Sequence, residues 1–173
     1  MKKIAALLCS IALAGCATSL PPVELKNLIQ DNNVVVKLPP DNRSIALDPY
    51  LDRGRPAVPA SHSIDYQIAI DLQRQVEHSD RQGKSTYTID FDGGSILFQP
   101  IFGLSILTNV AMNVTDASGK RVTRTLCWNH DTEHHSWEEW LSNPAFAESA
   151  KNRIAALCLR QFNQALGLLT SGG

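Results

Sequence analysis

Residues 104–128 read LSILTNVAMNVTDASGKRVTRTLCW, and the fold turns on this stretch. Leu104, Ile106, Thr108, Val110, Met112 and Val114 fall on every second position. A period of two puts them on one face of a long strand. Asp116-Ala117-Ser118-Gly119 supplies turn chemistry. Arg121 to Trp128 is the returning strand. Strands joined by so short a connection are antiparallel, and their apolar face must be covered.

Upstream, Tyr87, Ile89 and Phe91 alternate with Thr86, Thr88 and Asp90, which predicts another strand. Asp92-Gly93-Gly94 follows. Glycine takes positive φ at no steric cost, so this triplet predicts a hairpin into a third strand over Ser95 to Phe98. Pro100 and Gly103 mark a break, edge or bulge, and Asp80 to Lys84 is a turn. Earlier still, Ile64, Tyr66, Ile68, Ile70 and Leu72 alternate with Ser63, Asp65, Gln67, Ala69, Asp71 and Gln73. The same period predicts a strand there, with Val76 in phase and Asp65 and Asp71 on its outward face. Residues 39–61 hold five of the nine prolines, Pro39, Pro40, Pro49, Pro56 and Pro59. A helix is therefore excluded, and an extended loop is expected with one short strand at Ser44 to Leu47. Val34-Val35-Val36 reads as a strand closed by Pro39-Pro40.

Towards the C-terminus the period changes. Ala155, Cys158, Leu159, Phe162, Ala165, Leu166 and Leu169 follow i, i+3, i+4, i+7 spacing, which predicts an amphipathic helix over 145–169. Asn143-Pro144 starts it, since proline is tolerated in the first turn. Trp137, Trp140 and Leu141 predict a short helix just before, and Ser171-Gly172-Gly173 is a frayed end. The expected fold class is α+β, an antiparallel β-meander sheet covered by a C-terminal amphipathic helix.

The N-terminus has a different character. Lys2 and Lys3 precede an apolar run from Ile4 to Leu13, and small residues Ala14 and Gly15 follow. The run is too short for a membrane span, which needs about 20 apolar residues, and suits the core of a secretory signal. Leu13-Ala14-Gly15-Cys16 resembles the lipobox of bacterial lipoproteins. That resemblance implies removal of residues 1–15 and attachment of a diacylglycerol and an N-acyl chain to Cys16. Two or three chains make a stable anchor, at about 0.8 kcal/mol per buried CH₂. Ala17, where an Asp would imply retention on the inner membrane, implies the outer membrane. Residues 16–32 are then the lipidated N-terminus and tether, stiffened by Pro21-Pro22. Residues 33–173 form a single periplasmic domain.

Sixteen Lys and Arg stand against seventeen Asp and Glu. Losing Lys2 and Lys3 leaves fourteen against seventeen, a formal net charge of −3. Nothing basic remains in excess to neutralise phosphates, so nucleic acid is not an expected partner. Cys9 leaves with the signal and Cys16 takes lipid. Cys127 and Cys158 remain, and an oxidising periplasm invites them to pair. Cys158 lies on the helix's apolar stripe, but Cys127 faces away from Leu126 and Trp128. Either the helix packs on the Cys127 face, or a bulge shifts the phase, or the disulfide does not form.

The sequence offers little chemistry. His130, His134 and His135, with Asp131 and Glu133, are the residue types of a zinc or copper site, and His130 and His134 would share a face if helical. The segment joins a strand to a helix without a His-Glu-x-x-His pattern, so a solvated connection capped by Asp131 or Thr132 is the favoured reading. Asp90 and Asp92 share a strand face and read as a solvated strand end rather than an acid/base pair. No nucleophile elbow, phosphate loop or Cys-x-x-Cys occurs, and no catalytic residue is assigned. Trp137 and Trp140 would share a helix face, either buried on the sheet or serving as an aromatic anchor for a partner.

Pro49-Tyr50-Leu51-Asp52-Arg53 and Asp65-Tyr66-Gln67-Ile68 resemble segments of the auxiliary lipoproteins of ABC-type lipid transport systems. No helix is expected between the two segments, where that family's layout has one, and no functional residue is carried over. The resemblance implies a membrane-anchored, non-catalytic accessory or scaffolding component of a cell-envelope transport or secretion assembly, with a protein partner. A lipid- or small-ligand-binding lipoprotein and a metal-dependent periplasmic enzyme are the alternatives.

Overall fold

A long central strand carries the sheet. The computed structural model describes residues 32–47, 58–77, 85–98, 103–131, 133 and 135–168. Within these the chain forms β1 (Asn33–Val36), β2 (Ser44–Leu47), β3 (Val58–Pro59), α1 (Ile64–Glu77) and β4 (Thr86–Phe98). β5 (Ser105–Thr115), β6 (Arg121–His130), α2 (Trp137–Ser142) and α3 (Pro144–Ala165) follow. The strand order is β3-β2-β4-β5-β6, and β1 also pairs with β4.

The meander stands as expected: β4-β5 and β5-β6 are antiparallel, with Val110 opposite both Gly93 and Cys127. The alternation of β5 puts Ile106, Val110, Met112 and Val114 inward, all wholly buried. Asp116 closes the β5-β6 turn by accepting from the Ser118 and Lys120 N–H groups at 2.9 and 3.0 Å. On the other side of β4 the sheet departs from a pure meander. β1 lies parallel to its first half, Val36 opposite Ile89, and β2 lies parallel to its end, Leu47 opposite Leu97. β2 comes from the proline-rich segment, as does β3, which pairs with it antiparallel. Pro59 is tolerated because β3 is at the sheet edge, where a missing N–H costs no ladder bond.

Two expectations are corrected. Residues 64–77 form helix α1, not a strand. The buried residues are Ile64, Ile68, Ala69, Leu72 and Val76, four-residue steps with Ala69 beside them. A strand would have turned Ala69 outward. Positions four apart satisfy both periods, so the alternation misled; polar pairing along the helix separates the two readings. Gln67 Nε2 donates to Asp71 at 2.9 Å, Gln73 Nε2 to Glu77 at 2.9 Å, and Arg74 pairs with Asp71 at 3.1 Å. These are the i, i+3 and i, i+4 contacts of a helix surface. Of the two segments of the transporter resemblance, Asp65-Tyr66-Gln67-Ile68 thus lies in α1, and residues 49–53 lie outside the described residues.

Asp92-Gly93-Gly94 is not a hairpin either. β4 runs straight through it for 13 residues. Gly93, at φ +111°, passes so close to β5 that a Cβ would sit 2.0 Å from the Asn109 carbonyl oxygen. Here glycine serves close backbone approach rather than a turn. Gly93→Ala is expected to destabilise by about 2–3 kcal/mol through combined steric and dihedral strain. A urea midpoint equal to wild type would show that β5 simply moves aside.

α1 packs over β1 and β4, α3 over β5 and β6, and the helices touch each other. The core between sheet and helices includes Ile68, Leu72, Ile89, Met112, Trp140 and Phe162. α3 begins as expected. The Asn143 side chain accepts from the Phe146 N–H, and proline occupies the first turn. α2 opens on a capping box between Ser136 and Glu139. α3 ends at Ala165, followed by Gly167 at φ 65°. Among the described residues no helix is long and apolar enough to cross a membrane.

Candidate functional site

Cys127 and Cys158 form a disulfide with Cα atoms 5.4 Å apart, linking β6 to α3. Of the three ways the cysteine phase could resolve, the first holds. α3 packs on the Cys127 face, both cysteines are wholly buried, and Leu126 and Trp128 point the other way, 52% and 61% exposed.

Trp140 is 1% exposed, so it offers no surface to a partner. Its indole N–H donates to the Leu104 carbonyl at 3.3 Å, and its ring packs edge-on against Phe146 at 4.8 Å. The polar tip finds a backbone acceptor and the ring fills the core, the usual settlement for a buried tryptophan. Trp137 is half-buried against the same cluster.

His130 and His135 have separate partners. His130 Nε2 shares a 2.8 Å hydrogen bond with Ser105 Oγ. His135 stacks on Phe146 at 3.9 Å and lies between Glu133 and Glu139, at 3.7 and 3.6 Å. His134 and Thr132 lie outside the described residues. Asp131 is buried and faces Arg153 at 3.6 Å. Among the described residues no three His, Cys, Asp or Glu side chains are grouped to hold a metal ion. Asp90 and Asp92 are bridged by the Asn113 amide, 2.9 and 3.2 Å away, and Arg124 reaches Asp92 at 3.2 Å. Cys16 lies outside the described residues.

Sequence reasoning missed a cluster that joins the start of α1 to α3. Lys151 lies wholly buried on the inward stripe of α3. Its ammonium donates to Ser61 Oγ at 2.7 Å and pairs with Glu148 one turn earlier. Ser61 in turn donates its hydroxyl and N–H to the same carboxylate, at 2.7 and 3.1 Å. Partial burial works against the Glu148 charge, but the bonds from Lys151 and Ser61 outweigh it and hold the carboxyl below its ordinary range. An ionised glutamate with a lowered pKa is a weak base. The trio therefore clamps rather than activates Ser61. The signal was present: a charged residue stands between Ala150 and Ile154 on a stripe that is apolar apart from it and Asn163.

Asp41 is a second hub. It accepts from His62 Nδ1 at 2.8 Å, from the Ser63 N–H at 3.0 Å, and from Arg43 through its N–H and Nε at 3.3 and 3.2 Å. Burial opposes its charge, yet these bonds prevail and keep the carboxyl far below its usual value. They also fix the turn into β2, where Arg43 adopts a left-handed φ of 43°.

Beside this hub a cavity of about 600 Å³ opens at the edge of β4, where β1 has ended and β2 is beginning. Its walls come from three regions: Asn42, Ser44 and Ile45 at β2, Ser63 to Asp65 at the start of α1, and the sheet face away from the helices. On that face Trp128, Asn109 and Gly94 lie side by side across β6, β5 and β4. The cavity thus lies on the side of the sheet away from the helices and around its edge. No family model, curated protein or solved structure matches the chain.

Proposed function

We propose that the protein is an exported lipoprotein, held on a membrane, with the outer membrane favoured, by lipid on Cys16. It works there as a non-catalytic accessory or scaffolding component of a cell-envelope transport or secretion assembly. The observation that carries this reading is the order of Lys2-Lys3, the apolar run and Leu13-Ala14-Gly15-Cys16. The buried Cys127–Cys158 disulfide supports it, because such bonds persist in oxidising compartments. The paired state of the Ser61, Asp41 and Asp92 clusters supports a binding rather than a catalytic role.

Cys16→Ser removes the thiol that takes the lipid. The variant is expected to leave the membrane fraction for the soluble periplasm, as read by fractionation and by the mass of the mature N-terminus. Equal membrane retention of both forms would overturn the anchor. Crosslinking the wild-type chain in intact envelopes then tests the accessory role: a recurrent transport or secretion component supports it, and none argues against it.

A further inference from the structure

The cavity beside α1 has a chemistry of its own. Among the described residues Asp65 lines it, and no Lys, Arg or His does. Asp41 lies next to it, taking the Ser63 N–H. Asp65 offsets the positive end of the helix, while Asp41 is already engaged by His62 and Arg43, so an anion gains little there. A cation would meet a single lining carboxylate and that same helix end. A purely apolar ligand would bury the amides of Asn42 and Asn109 without partners, which is costly.

Ser63 supplies the observation that points to a ligand. It lines the cavity, is 9% exposed, and its Oγ has no hydrogen-bond partner. A buried hydroxyl left so costs free energy unless something completes it. The floor opposite is shaped to receive a flat molecule. A Cβ built on Gly94 would meet nothing within 4 Å, so the sheet is bare there. Asn109 stands next to it, and Trp128 beyond, 61% exposed. At a strand spacing of about 4.8 Å, this row spans roughly 10 Å.

We infer that the cavity binds a neutral saccharide. Trp128 offers an aromatic face for the C–H side of a sugar ring. Asn42 and Asn109 each offer a donor and an acceptor to neighbouring hydroxyls, and Asp65 and Ser63 complete the polar contacts. The volume falls within the range that encloses a small-molecule ligand. This inference rests on the cavity and not on the lipid anchor.

The test is calorimetric titration of the full chain, in a detergent without a sugar headgroup, with N,N′,N″-triacetylchitotriose and with maltotriose. Binding of at least one is expected, at about millimolar affinity. Preference for the first points to N-acetylated wall glycan, and preference for the second to an unacetylated oligosaccharide. Trp128→Ala is expected to weaken binding about tenfold. Gly94→Leu, whose Cβ would meet nothing within 4 Å, puts a side chain over the floor and is expected to abolish it at an unchanged unfolding midpoint. If neither saccharide binds wild type, or if both variants bind as wild type does, the inference is wrong. Either failure leaves the Cys16 experiment untouched.

Discussion

Replacing Cys127 and Cys158 together by alanine is expected to lower the free energy of unfolding by about 3–4 kcal/mol. The bond joins residues 31 apart in sequence, and closing a loop of that size removes much of the disorder of the unfolded chain. It also links the two layers of the fold, since Cys127 belongs to the sheet and Cys158 to the helix above it. Both sulfurs are wholly buried, so a reductant reaches them only through opening of the structure. The check is urea unfolding of wild type, oxidised and reduced, beside the double variant. Reduced wild type is expected to behave like the double variant. Coincident midpoints for all three would remove the disulfide from any account of stability.

Glu148→Ala is the second large effect. It leaves the Lys151 ammonium buried with Ser61 but without its counter-charge. Breaking a buried pair from one side costs about 3–5 kcal/mol. The reverse variant should cost less, because Glu148 is one-third exposed and water can take over its charge. Lys151→Met with Glu148→Ala together should recover most of the loss, since an apolar side chain suits the stripe between Ala150 and Ile154. The order of midpoints, with Glu148→Ala lowest and the double variant above it, carries the test; equal midpoints would mean the ammonium reaches water. The sign with pH follows. Glu148 has a lowered pKa when folded, so its contribution is present above the ordinary carboxylate value and is lost as pH falls through the lowered one.

What could be read from the residues alone was local. The β5 and β6 strands, the two halves of β4 and the Asp116 turn follow from period and turn chemistry over neighbouring positions. The Asn143-Pro144 helix start does too. Ile64 to Val76 was misread because Ile64, Ile68 and Leu72 fit a period of two and a helix equally. Only Ala69 on the buried side and the polar pairs four apart separate the readings. Gly93 was misread because a glycine needed for positive φ in a turn and one needed for close approach look alike. The parallel pairing of β1 and β2 with β4 joins segments some 50 residues apart, and nothing local announces it. The same holds for Ser61 with Lys151, 90 residues apart, and for a cavity assembled from three distant segments. The cysteine pair lay in between: composition and compartment named the partners, and only the packing of α3 decided the face.

β1 has a mechanical meaning as well. Among the described residues, a pull from the N-terminal side of the chain first meets a strand at Asn33. It must pass through the four rungs from Asn33 against Thr86 to Val36 against Ile89. The covalent link at Cys127 lies on the far side of the sheet and carries none of that load. With four rungs against the eleven that join β4 to β5, β1 is the strand expected to yield first under such tension.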